Sequence, residues 1–332
     1  MENRMHSMLG AFVGDAAGAT LELYGDTITK EMALAAMKMP GGGCFAVGPG
    51  QITDDGELTL TIWNTLCAGK YNPADGYPIR QIIIGYFTWY NSKPFDIGRT
   101  CSSAFHEYFK SFECEWVDDD RLLQIRRNVW KLTRHSEANG ALMRSTSIAT
   151  WVAFHPSAIS AEAGAQIAME DASLSHPNII CQEANAIYVF AIIHLLRGVS
   201  PVDVLAYTDE FVRMNEFSEK IQKWYFEESL SIDGMDCTKN IGHVRWGFVL
   251  AFYFLRNYAI GFEDAIRTVL MKGGDTDTNA AIVGGMVGCY QEIPAYMMNA
   301  VLEFDCTIQG QIRPSMYSVK AAAAVSATDT TI

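Results

Sequence analysis

The chain has 332 residues, of which 49% are hydrophobic and 11% aromatic, and its 25 Lys+Arg against 38 Asp+Glu give a formal charge of −13. With only 19% of residues charged, it has enough apolar material to bury a large core, which excludes intrinsic disorder; a prior of about 150 residues per domain allows one or two domains. An acidic chain lacks the field that draws phosphate backbones, which argues against sequence-independent nucleic-acid binding but leaves room for a small anion held by local groups.

In chain order, residues 8–13 are an apolar run too short for a signal-peptide core. Gly10, Gly14 and Gly18 recur every four residues, making a smooth helix stripe where another backbone can approach closely. Asp15 lies beside that stripe and Glu22 one helix repeat farther on. The glycines at 41, 42, 43, 48 and 50 lack the Gly-Lys-Ser/Thr of a phosphate-binding loop and the strand-to-helix setting of a dinucleotide fingerprint. They are read as a flexible flap beside a site. Thr53-Asp54-Asp55-Gly56-Glu57 then opens a helix through Leu58, Ile62 and Leu66. Capping would explain one acid there, with Glu57 three after Asp54 as in a capping box. Two adjacent aspartates exceed what one cap needs, and an inward second carboxylate needs a cation.

Helical spacing continues through Ile79, Ile82, Ile83, Tyr86, Phe87 and Tyr90, closed by Pro94, and through Cys101, Phe105, Tyr108 and Phe109. The stretch from Glu137 to Ser145 reads as a turn entering a helix whose free N–H groups suit a phosphate. Ser175-His176-Pro177 carries a lone histidine, more often a capping or surface residue than a catalyst. Residues 184–196 are apolar but short of the ~20 a bilayer span needs, and read as a buried helix. Further helical periods run through Phe248, Val249, Phe252 and Leu255 and through Ala265, Ile266, Val269 and Leu270. Between that last helix and a small-residue run lies Gly273-Gly274-Asp275-Thr276-Asp277-Thr278-Asn279. Its Asp-x-Asp oxygens suit Mg²⁺, Mn²⁺ or Ca²⁺ rather than zinc. It is not an EF-hand, because Ala280 and Met286 stand where Gly and Glu are required. An Asp-rich loop with Gly at one cap and Asp at the next explains it equally well.

No two-residue alternation is convincing, so the expected fold is all-α, a single compact orthogonal multi-helix bundle. Residues 1–316 are expected to form it, with 317–332, Ala/Ser/Thr-rich from residue 321, as a loose tail. Eight cysteines without a CxxC pair suit reduced thiols and a cytoplasmic location, with no membrane partner.

Taken together, the segments resemble the ADP-ribosylglycohydrolase family, which includes dinitrogenase-reductase-activating glycohydrolases and ADP-ribosyl-acceptor hydrolases. The matching residues run from Gly14-Asp15-Ala16-Ala17-Gly18 and Glu22 through Thr53-Asp54-Asp55, Asp96-Ile97-Gly98, Asn139-Gly140-Ala141-Leu142-Met143-Arg144 and Ser175-His176-Pro177 to Gly273-Gly274-Asp275-Thr276-Asp277-Thr278. The ordered pair of Thr-Asp-Asp and Gly-Gly-Asp-Thr-Asp-Thr is the specific part. The resemblance implies an all-α fold with a binuclear Mg²⁺ site, Mn²⁺ being an alternative, ligated by Thr53, Asp54, Asp55, Asp275, Asp277 and Thr278. It implies hydrolysis of the bond between ADP-ribose and a modified protein side chain, arginine favoured, with Asp55, Glu22 and Asp277 as catalytic residues. Asp96, Asn139, Gly140, Ser145 and His176 are the implied substrate-binding residues. The implied partners are an ADP-ribosylated protein and a cognate ADP-ribosyltransferase. Two other readings stay open: hydrolysis of a free ADP-ribosyl metabolite or nucleobase, and a non-catalytic partner that blocks a transferase. Acceptor choice would depend on loops 24–50 and 233–246. The chain departs from the family where Gly56 replaces a frequent Thr and Ser147 a frequent Pro.

Overall fold

The glycine stripe near the N-terminus is where two chain ends meet. The structure, a computed structural model, describes residues 4–111, 116–157 and 159–328. Among these residues it has sixteen α-helices and no strand: α1 (His6–Gly18), α2 (Lys30–Ala36), α3 (Asp54–Gly69), α4 (Ile79–Asn91), α5 (Arg99–Ser111), α6 (Asp119–Thr133), α7 (Thr146–Phe154), α8 (Ala161–Ser173), α9 (Ile179–Leu196), α10 (Pro201–Met214), α11 (Glu219–Phe226), α12 (Val244–Arg256), α13 (Phe262–Leu270), α14 (Thr276–Val287), α15 (Ala295–Glu303) and α16 (Val319–Thr328). The all-α expectation holds.

Helices α1 and α14 lie side by side at the centre, buried along nearly their whole length. Their backbones touch. A Cβ on Gly10 would stand 2.1 Å from the Gly284 carbonyl oxygen, on Gly14 2.0 Å from that of Ala280, and on Gly18 2.3 Å from Asp277 Cα. Small residues on both helices permit this approach. Two cross-links fix the register: Ser7 Oγ donates to the Gly285 carbonyl at 2.8 Å, and Thr276 Oγ1 to that of Gly18 at 2.8 Å. Helices α3, α7, α12, α13 and α15 pack around the pair, and one contiguous apolar cluster runs from Met5 to Ala322.

Helix α9 is long and apolar enough to cross a membrane, yet 78% of it is buried within the fold, as expected of a core helix. Of the eight cysteines, Cys114 lies outside the described residues and the other seven are free thiols. Two expectations change. The segment read as a loose tail is helical over Val319–Thr328, because Tyr317, Val319 and Ala322 turn inward and bury against the fold while the alanines favour helix. The glycine-rich loop is not a free flap. Gln51 Oε1 accepts from the backbone N–H groups of Gly48 and Gln311, each at 2.8 Å, and Gln311 Nε2 donates to the Phe45 carbonyl at 2.6 Å, so the C-terminal segment straps the loop down.

Because any Cβ at position 14 collides with backbone that cannot swing aside, Gly14→Ala is expected to cost at least about 1–3 kcal/mol of stability, the range for overpacked cores. Urea denaturation measures it, and an unchanged midpoint would mean that α1 and α14 do not pack in this way.

Candidate metal centre and cavity

The site grows from the first turn of α3. Thr53 is its N-cap but makes no side-chain cap. Asp15, from α1, replaces that cap. Its carboxylate accepts from the Thr53 N–H at 3.0 Å, from Thr53 Oγ1 at 2.9 Å and from the Gly56 N–H at 2.9 Å, satisfying donors that helix geometry leaves orphaned. A Cβ on Gly56 would stand 2.8 Å from Asp15 Oδ2 and 2.8 Å from Ile52. Here glycine leaves room for the α1 carboxylate against α3 at the position where the family frequently has Thr. The expected capping box is absent: Glu57 instead receives Arg313 at 2.7 and 2.8 Å and Trp89 Nε1 at 2.7 Å. Ser147, the other departure, donates Oγ to the Arg144 carbonyl at 2.9 Å.

The second aspartate pair enters from α14. Gly273 and Gly274 both hold positive φ, and a Cβ on Gly274 would stand 2.1 Å from the Cys237 carbonyl oxygen, so this turn needs glycine. It delivers Asp275 and Asp277 to α3. Asp275 occupies the N-cap position but makes no cap; its Oδ2 accepts from Asn139 Nδ2 at 2.7 Å. Asp277 Oδ1 accepts from the Thr278 N–H at 2.8 Å, Thr278 Oγ1 donates to Asp55 Oδ2 at 3.2 Å, and Thr53 Oγ1 lies 3.4 Å from Asp277 Oδ2.

A cavity of about 450 Å³ opens above this floor, within the range of small-molecule sites. Its acidic lining is Glu22, Asp54, Asp96, Asp275 and Asp277, with Thr278; its neutral lining includes Asn139, Gly140 and His176. Thr53 and Asp55 lie buried beneath. Eleven of the twelve residues expected at the site are thus in one place. Ser145 is the exception: it is fully buried, outside the cavity lining, with Oγ donating to the Leu142 carbonyl at 2.8 Å, because the turn into α7 aims that side chain at its own backbone. Asp15 was not expected as a site residue, although its place beside the glycine stripe was its signal. Gly98, Arg99 and Cys101 at the start of α5, and Ile241 and Gly242 of loop 233–246, also line the cavity.

The acidic wall is electrostatically uncompensated. Burial, then neighbouring carboxylates including Asp275, push Glu22 up to about 8, and burial with the Asp54 and Glu22 charges pushes Asp96 to about 10. Asp54 rises to about 6, and burial drives Asp55 and Asp277 well above the carboxylate range. Asp15 rises to about 8 through burial, although its Thr53 and Gly56 donors pull the other way. Beyond burial, the Asp54 charge raises Asp96, and the Glu22 charge raises Asp277, a like-charge crowding that a shared proton or a cation relieves. Acid oxygens of Asp15, Asp55 and Asp277 gather within 4.8 Å of one another, as do those of Glu22, Asp96 and Asp277. Asp55 Oδ1 is buried without a partner. An all-oxygen set of this kind, with an orphaned carboxylate atom, fits hard divalent cations.

The family model described as ADP-ribosylglycohydrolase matches residues 2–325. The chain therefore belongs to the ADP-ribosylglycohydrolase family and is a hydrolase. Among similar proteins, one of Acanthamoeba polyphaga mimivirus, provisionally named ADP-ribosyl glycohydrolase, is 28% identical over 93% of each chain. The ADP-ribosyl-dinitrogen reductase glycohydrolase of Rhodospirillum rubrum is 24% identical over 94% of this chain and 93% of its own. The ADP-ribosylarginine hydrolase Tri1 of Serratia proteamaculans is 32% identical over 31% of this chain and 28% of its own. A solved chain described as an ADP-ribosylglycohydrolase-related protein complex shares the fold, with a TM-score of 0.68 and 21% identity over 100% of both chains.

With chelator present, the folded chain keeps protons on Asp15 and Glu22 up to about 8 that the unfolded chain releases near 3.8 and 4.5. The folded state then binds more protons throughout that window, so stability falls as pH rises. A thermal midpoint several degrees lower at pH 8 than at pH 5 is expected in EDTA. A midpoint that rises over the same range would refute the uncompensated cluster.

Proposed function

We propose that this protein is a Mg²⁺-dependent ADP-ribosylglycohydrolase that frees ADP-ribose from a modified arginine side chain of a protein, Mn²⁺ being an acceptable substitute. The supporting observation is a single cavity that joins a carboxylate wall to a wall of neutral donors, in a chain of this family. Thr53, Asp54, Asp55, Asp275, Asp277 and Thr278 would hold two divalent cations. When bound, such cations offset the carboxylate charge, grip vicinal hydroxyls and lower the pKa of a water.

The chain's own groups divide the remaining work. Asp55 Oδ1, which has no partner within the protein, accepts a proton from the attacking water. Glu22, half-buried at the cavity wall, holds the proton that the departing nitrogen takes. Asp277 is oriented by the Thr278 N–H on Oδ1, while Oδ2, with only the long Thr53 contact at 3.4 Å, faces a ligand. One water is consumed: its oxygen bonds to C1 of the ribose, and the electron pair of the C–N bond leaves with nitrogen. Such an oxocarbenium-like passage is what flanking carboxylates serve in glycoside hydrolysis. Asn139, Gly140 and His176 receive the rest of the nucleotide.

Arginine is favoured as acceptor because the carboxyl oxygens of the half-buried Glu22 and Asp96 line the cavity and offer hydrogen-bond acceptors to a guanidinium, which only donates. The partial match to a relative named for ADP-ribosylarginine supports the same choice. A transferase that installs the modification is the implied counterpart, and the free thiols among the described cysteines support a reducing, cytoplasmic setting.

Arg-linked, Ser-linked and nucleobase-linked ADP-ribose, each incubated with protein and Mg²⁺, distinguish the acceptors by mass spectrometry of released ADP-ribose. Release is expected fastest from the arginine conjugate and absent with chelator; release from none overturns the reading. Asp55→Asn is expected to slow turnover at least about 10²-fold, the low end for a positioned general base. It should also raise the thermal midpoint in EDTA, because a buried unpartnered carboxylate is removed; an unchanged rate removes Asp55 from the mechanism.

A further inference from the structure

Behind the neutral wall lies a buried ionic network that the proposed chemistry does not use. Arg144 is fully buried, and each of its donors is engaged. Nε donates to Asp171 Oδ2 at 3.0 Å, one terminal nitrogen to the Gly140 carbonyl at 3.1 Å and to Cys101 Sγ at 4.0 Å, and the other to the Asp171 carbonyl at 3.3 Å and to Ser175 Oγ at 3.0 Å. Asp171 Oδ1 accepts from Tyr77 OH at 2.9 Å and from Tyr86 OH at 2.6 Å, and the Tyr86 ring lies 4.6 Å from the guanidinium carbon. The pair is locked from both ends. Ser175 Oγ in turn stands 2.8 Å from His176 Nδ1, while His176 Nε2 is buried at the cavity wall without a partner.

Donor arithmetic settles which ring nitrogen carries the proton. A guanidinium only donates, so Ser175 Oγ is an acceptor toward Arg144. The one proton of the serine hydroxyl then needs an acceptor, and among the described residues His176 Nδ1 is the one within reach. Nδ1 therefore accepts, and the ring proton stands on Nε2. The opposite tautomer would strand the serine proton in a site where a buried, unpaired donor is costly. A second ring proton is excluded too: burial and the Arg144 charge push His176 down to about 3.

We propose that Arg144, Asp171 and Ser175 are positioning residues that fix His176 as a neutral imidazole with its proton on Nε2, making it a permanent hydrogen-bond donor to an anionic oxygen of the bound nucleotide. This rests on the ADP-ribose reading above. The opposite tautomer would present an acceptor and select a hydroxyl instead, so the network decides what the wall recognises. Arg144 also holds the Gly140 carbonyl, so one cation orients both pieces of the wall. Gly140 leaves the ring edge clear: a Cβ there would stand 3.1 Å from His176 Cε1 and 3.3 Å from Nε2.

Long-range ¹H–¹⁵N spectra of the full-length protein at neutral pH, with the His176 ring assigned by its loss in His176→Gln, are expected to report a proton on Nε2. Ser175→Ala is expected to shift the ring toward the Nδ1 proton and to raise the Kd for ADP-ribose in calorimetry about tenfold, as for a lost hydrogen bond to a charged group. KM should move more than kcat, and Ser175→Thr, which keeps the hydroxyl, should restore both tautomer and affinity. A wild-type ring protonated on Nδ1 overturns the proposal. So does a folded Ser175→Ala protein with unchanged tautomer and affinity, and if the alanine variant does not fold the wild-type and Ser175→Thr spectra decide. Because tautomer and ADP-ribose binding are read without turnover, a wild type that binds ADP-ribose but releases none from any conjugate fails the hydrolase reading alone.

Discussion

The structure depends on one contact, the backbone-to-backbone packing of α1 on α14. Two helices ordinarily lie 8–10 Å apart, with side chains filling the groove. Here glycines at 10, 14 and 18 on one side and Ala280, Ala281, Gly284 and Gly288 on the other remove the filler. A Cβ on Gly18 would meet Asp277 Cα, so the close approach extends to where the acids sit. One turn from this point, Asp15 reaches sideways and captures the start of α3. Segments more than two hundred residues apart in sequence are thereby held in one register, and the carboxylates they carry converge because the backbones do.

Convergence has a thermodynamic cost. Bringing Glu22, Asp54, Asp55, Asp96, Asp275 and Asp277 into a water-poor pocket lifts most of them out of the ordinary carboxylate range. Among the described residues the buried cations nearby, Arg313 and Arg144, are already committed to Glu57 and Asp171. A fold tolerates such a cluster when something outside the chain compensates it, and the rest of the core, apolar and continuous from Met5 to Ala322, supplies the stability that the site spends.

Much of this was legible in the residues, and the rest failed for identifiable reasons. The helical periods of α4, α5 and α13 stand out because each has a solvent side that contrasts with its core side. Helix α9 has little such contrast, being buried almost all round, and its apolar composition marks it as strongly as the period through Ile187, Phe190 and Ile193 does. The glycine stripe announced a close neighbour but not which one, because a four-residue repeat carries no address. Asp15 was visible beside it, yet its role as the cap of α3 is a tertiary fact. The tail was misread for a related reason: an alanine-rich segment looks featureless until Tyr317, Val319 and Ala322 find a surface to cover. Ser145, adjacent in sequence to the cavity wall, turned away because helix entry rotates successive side chains by about 100°.

The first turn of α3 shows how a run of acids can be sorted by partner rather than by position. Four carboxylates meet there: Asp15, Asp54, Asp55 and Glu57. Helix starts favour negative charge, so proximity to the turn distinguishes none of them. Partners do. Asp15 is occupied by Thr53 and Gly56, and Glu57 by Arg313 and Trp89; each serves the scaffold, the second by tying the C-terminal segment to the site. Asp54 has one backbone donor at 3.3 Å and a carboxyl neighbour, and Asp55 has two threonine hydroxyls on one oxygen and nothing on the other. The two acids that sequence adjacency made conspicuous are thus the two whose oxygens the protein leaves open. A Cβ on Gly56 would press on Asp15 Oδ2 and Ile52, so the glycine that looked like a missing hydroxyl lies against the scaffold that keeps those oxygens available.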